Sequence, residues 1–120
     1  MDFKGNFNQG HKAVLDEMLL GVPGVKAGKM FGYPGYYVNG KLFACVYEEG
    51  VSIKLPEQVR EKLLAEPGVE HFVPMENRPM KEWLLVKKKN SADYRDYEEF
   101  FLASVEYVLA VSQKGKKGKE

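Results

Sequence analysis

Cysteine and histidine, which often serve as nucleophiles, general bases and metal ligands, are scarce in this chain. It has one cysteine, Cys45, and two histidines, His11 and His71. Cys45 lies between Ala44 and Val46, whereas a reactive thiolate needs an accessible, positively charged neighbourhood, so a buried structural cysteine is favoured. The histidines have no cysteine or carboxylate at the spacing of a metal site. The sequence therefore predicts no catalytic residue, metal or cofactor, and we expect a protein that is not an enzyme.

Aromatic residues and lysines are concentrated in one short stretch, which is the main candidate for a contact surface. Aromatic rings interleaved with lysines are what proteins use to stack single-stranded nucleic acid. The alternative is that alternate rings pack in the core while the others form a homodimer face, and the acidic body of the chain favours this alternative. The rings are Phe31, Tyr33, Tyr36 and Tyr37, flanked by Lys29 and Lys41.

A polar loop, residues 75–78, is a second candidate, because loops carry function more often than cores do. Its Arg78 has the geometry to bind an anion or a partner carboxylate, although a surface arginine in an ordinary turn is the favoured interpretation. With Glu76 and the tyrosines, Arg78 also motivates a third hypothesis, a small-molecule site at the sheet edge. The predicted contact residues are therefore Lys29, Tyr33, Tyr36, Tyr37, Lys41 and Arg78.

The distribution of charge argues against a body that binds nucleic acid. The chain has 120 residues and a net charge of +1, but four lysines and one glutamate lie in residues 114–120. Without them, 14 of the 18 basic and 16 of the 17 acidic residues remain, so residues 1–113 carry a net charge of −2. We therefore expect a protein partner or a homodimer, with nucleic acid disfavoured.

Signals for membranes and secretion are missing from the sequence pattern. No segment approaches the roughly 18 uninterrupted apolar residues of a membrane span, and the start MDFKGNFNQG lacks the apolar core of a secretory signal. A single cysteine forms no internal disulfide. We therefore expect a cytoplasmic protein without membrane contact.

Residues 29–55 contain the densest pattern of strand and turn signals. Asn39-Gly40 supplies the two positive φ angles of a type I′ turn, which predicts a hairpin of strands 35–38 and 41–48. After a second turn, apolar and polar residues alternate up to Leu55, as in a half-buried strand. With a further strand over 26–31, three or four strands follow one another along the chain.

Helices are predicted on both sides of these strands. The first carries an apolar stripe that begins at His11, with Asn8 as its N-cap. The second begins at Pro56, since proline suits the first position of a helix. The third is capped by Ser91 and ends near Ser112.

Two more strands, over 69–73 and 80–87, separate the second helix from the third. The predicted fold class is α+β, a largely antiparallel sheet with helices packed on one face in the order α-β(3-4)-α-β(2)-α. One domain spans residues 1–112. Residues 113–120 are predicted to be a disordered lysine-rich tail.

Four segments resemble, in order and spacing, the N-terminal domain of the TfoX family over about residues 11–108. The resemblance implies an α+β domain with an antiparallel sheet. TfoX proteins are bacterial regulators associated with competence for DNA uptake, so we expect a non-enzymatic regulatory or protein-interaction module. The chain ends after one domain and is lysine-rich at residues 87–89, which weighs against a direct transcriptional role. The segments are Met30-Phe31-Gly32, Gly40-Lys41-Leu42-Phe43-Ala44, Ile53-Lys54-Leu55 and Arg78-Pro79-Met80.

Overall fold

The computed structural model describes residues 7–30, 32–73 and 81–118, with side chains as far as residue 111. It shows an α+β fold, and the predicted order of helices and strands is confirmed. Four strands lie between the first and the second α-helix. A seven-residue 3-10 helix, Ser91–Tyr97, precedes the last α-helix. The elements are α1 (Gln9–Leu19), β1 (Val25–Met30), β2 (Tyr33–Val38), β3 (Lys41–Tyr47), β4 (Gly50–Lys54), α2 (Glu57–Leu64), β5 (Val69–His71), β6 (Trp83–Val86) and α3 (Glu98–Gly118).

The six strands form one antiparallel sheet in the order β1-β2-β3-β4-β6-β5. The first four strands pair in chain order because tight turns join them. At the β2–β3 turn, Asn39 and Gly40 have φ angles of 54° and 76°, as the type I′ prediction requires. After α2 the chain enters the far edge as β5 and returns as β6, which pairs with both β5 and β4.

A bulge in β3 shapes the middle of the sheet. Tyr36 of β2 is opposite Ala44, but the next residue, Tyr37, is opposite Leu42, so Phe43 is an extra residue on β3. Both Phe43 and Ala44 are buried on the helix side, at 0% exposure. The Ser104 hydroxyl of α3 has one proton to donate and faces two backbone acceptors, the Lys54 carbonyl oxygen at 2.5 Å and the Phe43 carbonyl oxygen at 3.2 Å. Ser104 therefore fixes α3 on the sheet through the backbone of β3 and β4.

The main core lies between one face of the sheet and the helices, as predicted. α1, α2, α3 and the 3-10 helix all contribute apolar side chains to it, and every strand except β5 contributes buried ones. Burial of this apolar area is the chief stabilising contribution. The largest fully buried side chains of this core are Tyr36, Tyr94, Phe43, Phe101, Leu15, Leu19, Ile53, Leu55, Leu63 and Leu84.

The helix ends differ from their predictions at three places. Asn90 caps the 3-10 helix, because its side chain accepts from the Ala92 N–H at 3.1 Å, whereas the Ser91 hydroxyl is bonded to His11. Pro56 is the N-cap of α2 and precedes its first turn. The α3 backbone is helical as far as Gly118, beyond the predicted end and into the segment predicted to be disordered, since lysine and glutamine favour helices and single glycines only weaken them. Of the helices in the described part of the chain, none is long and apolar enough to cross a membrane.

Candidate contact face

The sheet face that points away from the helices is the candidate functional surface. Strand alternation places Tyr33 and Tyr37 on this face and the intervening Tyr36 on the other. No helix of the described residues packs on it, and its apolar side chains form a cluster separate from the main core. Five of its apolar side chains are partly exposed, and we call them the tyrosine face: Met30, Tyr33, Tyr37, Leu42 and Tyr47.

A row of aromatic rings connects the tyrosine face to a buried cluster. The ring centroids of Tyr33 and Tyr47 are 4.6 Å apart, those of Tyr47 and Phe72 are 5.0 Å apart, and those of Phe72 and Trp83 are 6.1 Å apart. Phe72 is 1% exposed and Trp83 is 6% exposed, so the row is fixed at its buried end. The exposed rings are therefore held in place before any partner binds, which lowers the entropic cost of contact.

The two exposed rings of this row, Tyr33 and Tyr47, carry neutral hydroxyl groups. Burial, and then the charge of Glu48, raise the pKa of Tyr33, and the same two causes in the same order raise the pKa of Tyr47. The Tyr33 hydroxyl makes a long hydrogen bond of 3.5 Å to a carboxylate oxygen of Glu48. These phenols are thus suited to hydrogen bonding and ring packing, and not to nucleophilic chemistry.

Tyr37 lies flat across the edge of the same face. Its hydroxyl donates to the Lys29 carbonyl oxygen at 2.6 Å. A Cβ atom on Gly28 would lie 2.8 Å from Cε1 of the Tyr37 ring, and one on Gly35 would lie 3.4 Å from it. Gly28 therefore makes room for the ring, which covers the backbone of β1, whereas Gly35 chiefly makes room for Leu42, whose Cδ1 would lie 2.9 Å from the added Cβ.

Tyr36 does not belong to the contact surface that the sequence predicted. It is 1% exposed, and its hydroxyl donates to the Asp16 Oδ1 of α1 at 2.6 Å. Burial, followed by this hydrogen bond, raises its pKa. The prediction was wrong because adjacent residues in a strand point to opposite faces, so Tyr36 and Tyr37 do not share a surface.

The two predicted lysines are exposed, but they lie apart from the tyrosine face. Lys29 pairs with Pro34 and Lys41 pairs with Val38, and these partners are on the helix side of the sheet. The predicted cluster of tyrosines and lysines is therefore not a single surface. Arg78, Phe31, Glu76 and the rest of the loop 75–78 lie outside the described residues.

The lysines closest to the helix-free face are balanced by carboxylates. Lys54 and Glu82 form an ion pair of 3.5 Å, and Lys87 and Glu70 form one of 3.3 Å. Lys26 of the edge strand, opposite Tyr37, adds an exposed cation. This pattern lacks the cationic excess that a phosphate backbone would require.

Cys45 also lies on this face but is inaccessible, as predicted. It is 0% exposed, and burial raises the pKa of its thiol to about 12. A thiol in this state is not a nucleophile at neutral pH. Among the described residues, no group of three histidine, cysteine or acidic side chains is arranged to hold a metal ion.

His11 is buried in the helix layer and has hydrogen-bond partners on both ring nitrogens. Its Nδ1 is 2.7 Å from the Ser91 hydroxyl and its Nε2 is 3.1 Å from the Glu49 carbonyl oxygen. The Tyr94 ring packs edge-on against it, with centroids 4.6 Å apart. His11 therefore fastens α1 to the β3–β4 turn and to the 3-10 helix, whereas His71 is exposed on the edge strand β5.

Several contact residues were missed by sequence reasoning. Met30, Leu42 and Tyr47 were assigned to strands but not to a surface, because the bulge and the strand order decide which face they occupy. The alternation of side chains along a strand, with a period of two residues, is a sequence signal that places Tyr33 and Tyr37 on the same face. The packing of Phe72 and Trp83 depends on pairing between strands that are distant in the sequence, so no local sequence pattern indicates it.

Comparison with known proteins supports the fold. The family model described as the TfoX N-terminal domain matches residues 17–108, which is most of the chain and includes all six strands. The chain is thus similar to this domain along its whole sheet. A search of curated proteins and a search of solved structures gave no match.

Proposed function

Because the chain belongs to the TfoX N-terminal domain family, we propose that it is a non-enzymatic regulatory module that acts through protein contacts. The contacts are made by the tyrosine face, with a second copy of the chain or with another protein. The process is regulation of the competence type that the family resemblance implies, in the cytoplasm of a bacterium.

The observation that carries this proposal is the exposure of ordered aromatic rings on a sheet face without helices. Tyrosine and methionine are enriched at protein interfaces, and Tyr33 and Tyr47 present rings that the buried end of the row holds in place. Partly exposed apolar side chains that adjoin one another on a sheet face, as these do, are a feature of interaction sites. The buried thiol of Cys45 offers no competing catalytic interpretation of the same face.

Nucleic acid receives less support as the partner. A sheet with exposed aromatic side chains is able to stack bases, but binding of single strands also needs a cationic groove. Here Lys54 and Lys87 are paired with glutamates, and Glu48 lies beside Tyr33. We therefore expect no salt-dependent shift of labelled single-stranded DNA, and a shift that is lost in a Tyr33→Ser variant would favour nucleic acid instead.

Light scattering and affinity capture with the full chain test the proposal. The double variant Tyr33→Ser/Leu42→Ser removes apolar contact area from the tyrosine face while leaving the helix-covered core intact. A matched control is Leu102→Ser, which changes a side chain of α3 that is 39% exposed. We expect the unmodified chain and the control to self-associate or to retain the same protein, and the double variant to lose this contact.

Two results would contradict the proposal. One is a strictly monomeric chain that retains no protein, and the other is a double variant that behaves like the control. The regulatory role has a separate test, since a deletion strain that takes up DNA as well as its parent would contradict the competence function alone.

A further inference from the structure

A groove borders the tyrosine face at the β3–β4 turn. It has a volume of about 450 Å³. Its floor is apolar and is formed by Tyr47, Phe72, Val73 and Leu85. Val73 is 50% exposed, although Phe72 beside it is 1% exposed. The groove thus offers accessible apolar surface next to a rigid, buried cluster.

The rim of this groove is acidic. Glu48, Glu49 and Glu70 line it, and the basic side chains among its described lining residues are Lys87 and His71. Lys87 is already paired with Glu70, and the Glu49 carboxylate accepts one hydrogen bond from the Asn8 amide at 3.0 Å. Three carboxylates against one ammonium group leave a negative potential over an apolar floor, which suits a cationic segment with an apolar side chain.

The chain itself contains a segment of this chemistry. Residues 111–120 read VSQKGKKGKE, with four lysines and one glutamate, whereas residues 1–113 have a net charge of −2. Val111 at the start of the segment is 44% exposed. The charges of the segment and of the groove are therefore complementary.

The position of α3 makes this contact intermolecular. Leu109 lines a surface with Asn39 and Gly40 at the β2–β3 turn, whereas the groove lies at the β3–β4 turn. These turns are at opposite ends of β3, a seven-residue strand that spans roughly 20 Å. The segment also leaves from the helix side of the sheet, and the groove floor is on the other side.

We propose that the lysine-rich segment 111–120 of one copy docks in the groove of a second copy, between Glu48, Glu49 and Glu70. This proposal rests on the self-association proposed above and names the element that completes it. Two copies that exchange their segments reciprocally form a closed dimer with two identical contacts. The tyrosine faces adjoin the grooves through Tyr47, so both surfaces belong to one interface.

A second acidic groove provides a matched comparison. It lies at the 3-10 helix and is lined by Asp93, Asp96 and Glu99, with Glu66 and Lys88. It carries more carboxylates, but its apolar lining consists of the Tyr97 and Phe100 rings, without aliphatic side chains such as Val73 and Leu85 of the first groove. Lys88 is already in contact with the Tyr97 ring at 5.1 Å. If charge alone directed the segment, this second groove would be its site.

Sedimentation equilibrium of full-length variants at low ionic strength tests the proposal. The segment variant has Lys114, Lys116, Lys117 and Lys119 replaced by Glu, and the groove variant has Glu48, Glu49 and Glu70 replaced by Lys. The control variant carries Asp93→Asn, Asp96→Asn and Glu99→Gln in the second groove. Circular dichroism of each variant establishes that it is folded.

We expect the segment and groove variants each to weaken self-association by about tenfold or more and the control to leave it unchanged, with the effects fading near 1 M salt, where the Debye length is about 3 Å. A mixture of the segment variant with the groove variant restores opposite charges across the contact. This mixture should therefore associate at least as tightly as the unmodified chain, which a general loss of stability cannot produce.

The remaining outcomes separate the two proposals. If the control variant dissociates and the groove variant does not, the docking site is overturned. If neither charged variant changes the assembly while Tyr33→Ser/Leu42→Ser dissociates it, the tyrosine face remains the interface and the segment plays no part. If the unmodified chain is a monomer at every concentration, both the docking proposal and self-association are wrong.

Discussion

The two faces of the sheet differ in how completely their apolar side chains are covered. On the helix side, Phe43, Ala44 and Val46 are 0% exposed, and three α-helices and the 3-10 helix share the contact. On the other side, burial is graded, from Phe72 at 1% to the partly exposed Tyr33 and Tyr47. The same six strands therefore build a closed core on one face and an incomplete one on the other.

This difference shows what each face contributes. A face that is fully covered stabilises the fold, since cores are packed to the density of organic crystals. A face whose rings are ordered but partly exposed adds less stability and leaves apolar area for a partner. Substitutions on the helix side should therefore change the free energy of unfolding, and substitutions on the tyrosine face should mainly change association.

The largest expected effect comes from a cavity on the helix side. Phe101→Ala removes a ring that is 1% exposed, and it should lower the free energy of unfolding by about 3–5 kcal/mol. Leu42→Ala, on the tyrosine face, should cost about 1 kcal/mol, because its side chain is only partly buried. Urea denaturation measures both, and equal losses would contradict the proposed division between the faces.

Alkaline pH should separate the tyrosines of the two faces. Burial raises the pKa of Tyr94 from 10.0 to about 12, so in this range the unfolded chain ionises while the folded chain does not. The contribution of Tyr94 is complete below pH 10 and is lost as the pH rises towards 12, by about 2 kcal/mol. The free energy of unfolding should therefore decrease less between pH 10 and pH 12 in Tyr94→Phe than in Tyr33→Phe. Urea midpoints measured across this pH range test the difference. The same slope in all three proteins would contradict this assignment.

His11→Ala should be the next most costly substitution. It removes the ring that joins Ser91 and the Glu49 carbonyl group, leaving buried polar atoms without partners at a cost of about 2 kcal/mol. Ser91→Ala removes one of these hydrogen bonds and should cost about 1 kcal/mol. Hydrogen exchange should show faster opening of α1 in the His11 variant. A loss confined to the sheet would show that His11 does not fasten this helix.

The smallest effects distinguish two adjacent tyrosines. Tyr36→Phe deletes the hydrogen bond to the Asp16 carboxylate and should cost about 1–2 kcal/mol, because that bond is made to a charged group. Tyr37→Phe deletes a more exposed bond to the Lys29 carbonyl oxygen and should cost about 0.5 kcal/mol. Thermal denaturation compares them, and the reverse order would contradict the placement of Tyr36 on the helix side.

Local signals were sufficient to predict much of the fold. Asn39-Gly40 predicted its turn because few residues adopt positive φ at both positions. Asn8 predicted the start of α1 because asparagine is a favoured N-cap residue, and its side chain indeed accepts a hydrogen bond from the His11 N–H. The position of β6 between β4 and β5 was beyond such signals, since it depends on strand pairing across α2. The contact of His11 with Ser91, 80 positions away, likewise depends on tertiary packing.

The candidate site was predicted only in part, for a geometric reason. Tyr37 was correctly placed in a strand, whereas Tyr33 was left in the turn before that strand, although β2 begins with it. Grouping both residues with Tyr36 ignored the alternation of side chains along a strand. The bulge at Phe43 changes the alternation of β3, so even a correct count along the sequence would not have placed Leu42 and Tyr47. A bulge depends on how two strands pair, so it cannot be predicted from the sequence of either strand alone.

Nitration of tyrosines by tetranitromethane, mapped by mass spectrometry at low and high protein concentration, tests the central claim most directly. At low concentration Tyr33 and Tyr47 should react, while Tyr36 and Tyr94, at 1% and 0% exposure, should not. At high concentration, or with a captured partner, Tyr33 and Tyr47 should become protected, while Tyr107 of α3, bonded to Glu82 at 2.8 Å, should react as before. Undiminished nitration of Tyr33 and Tyr47 in an assembled state would contradict the claim that this face makes the contact.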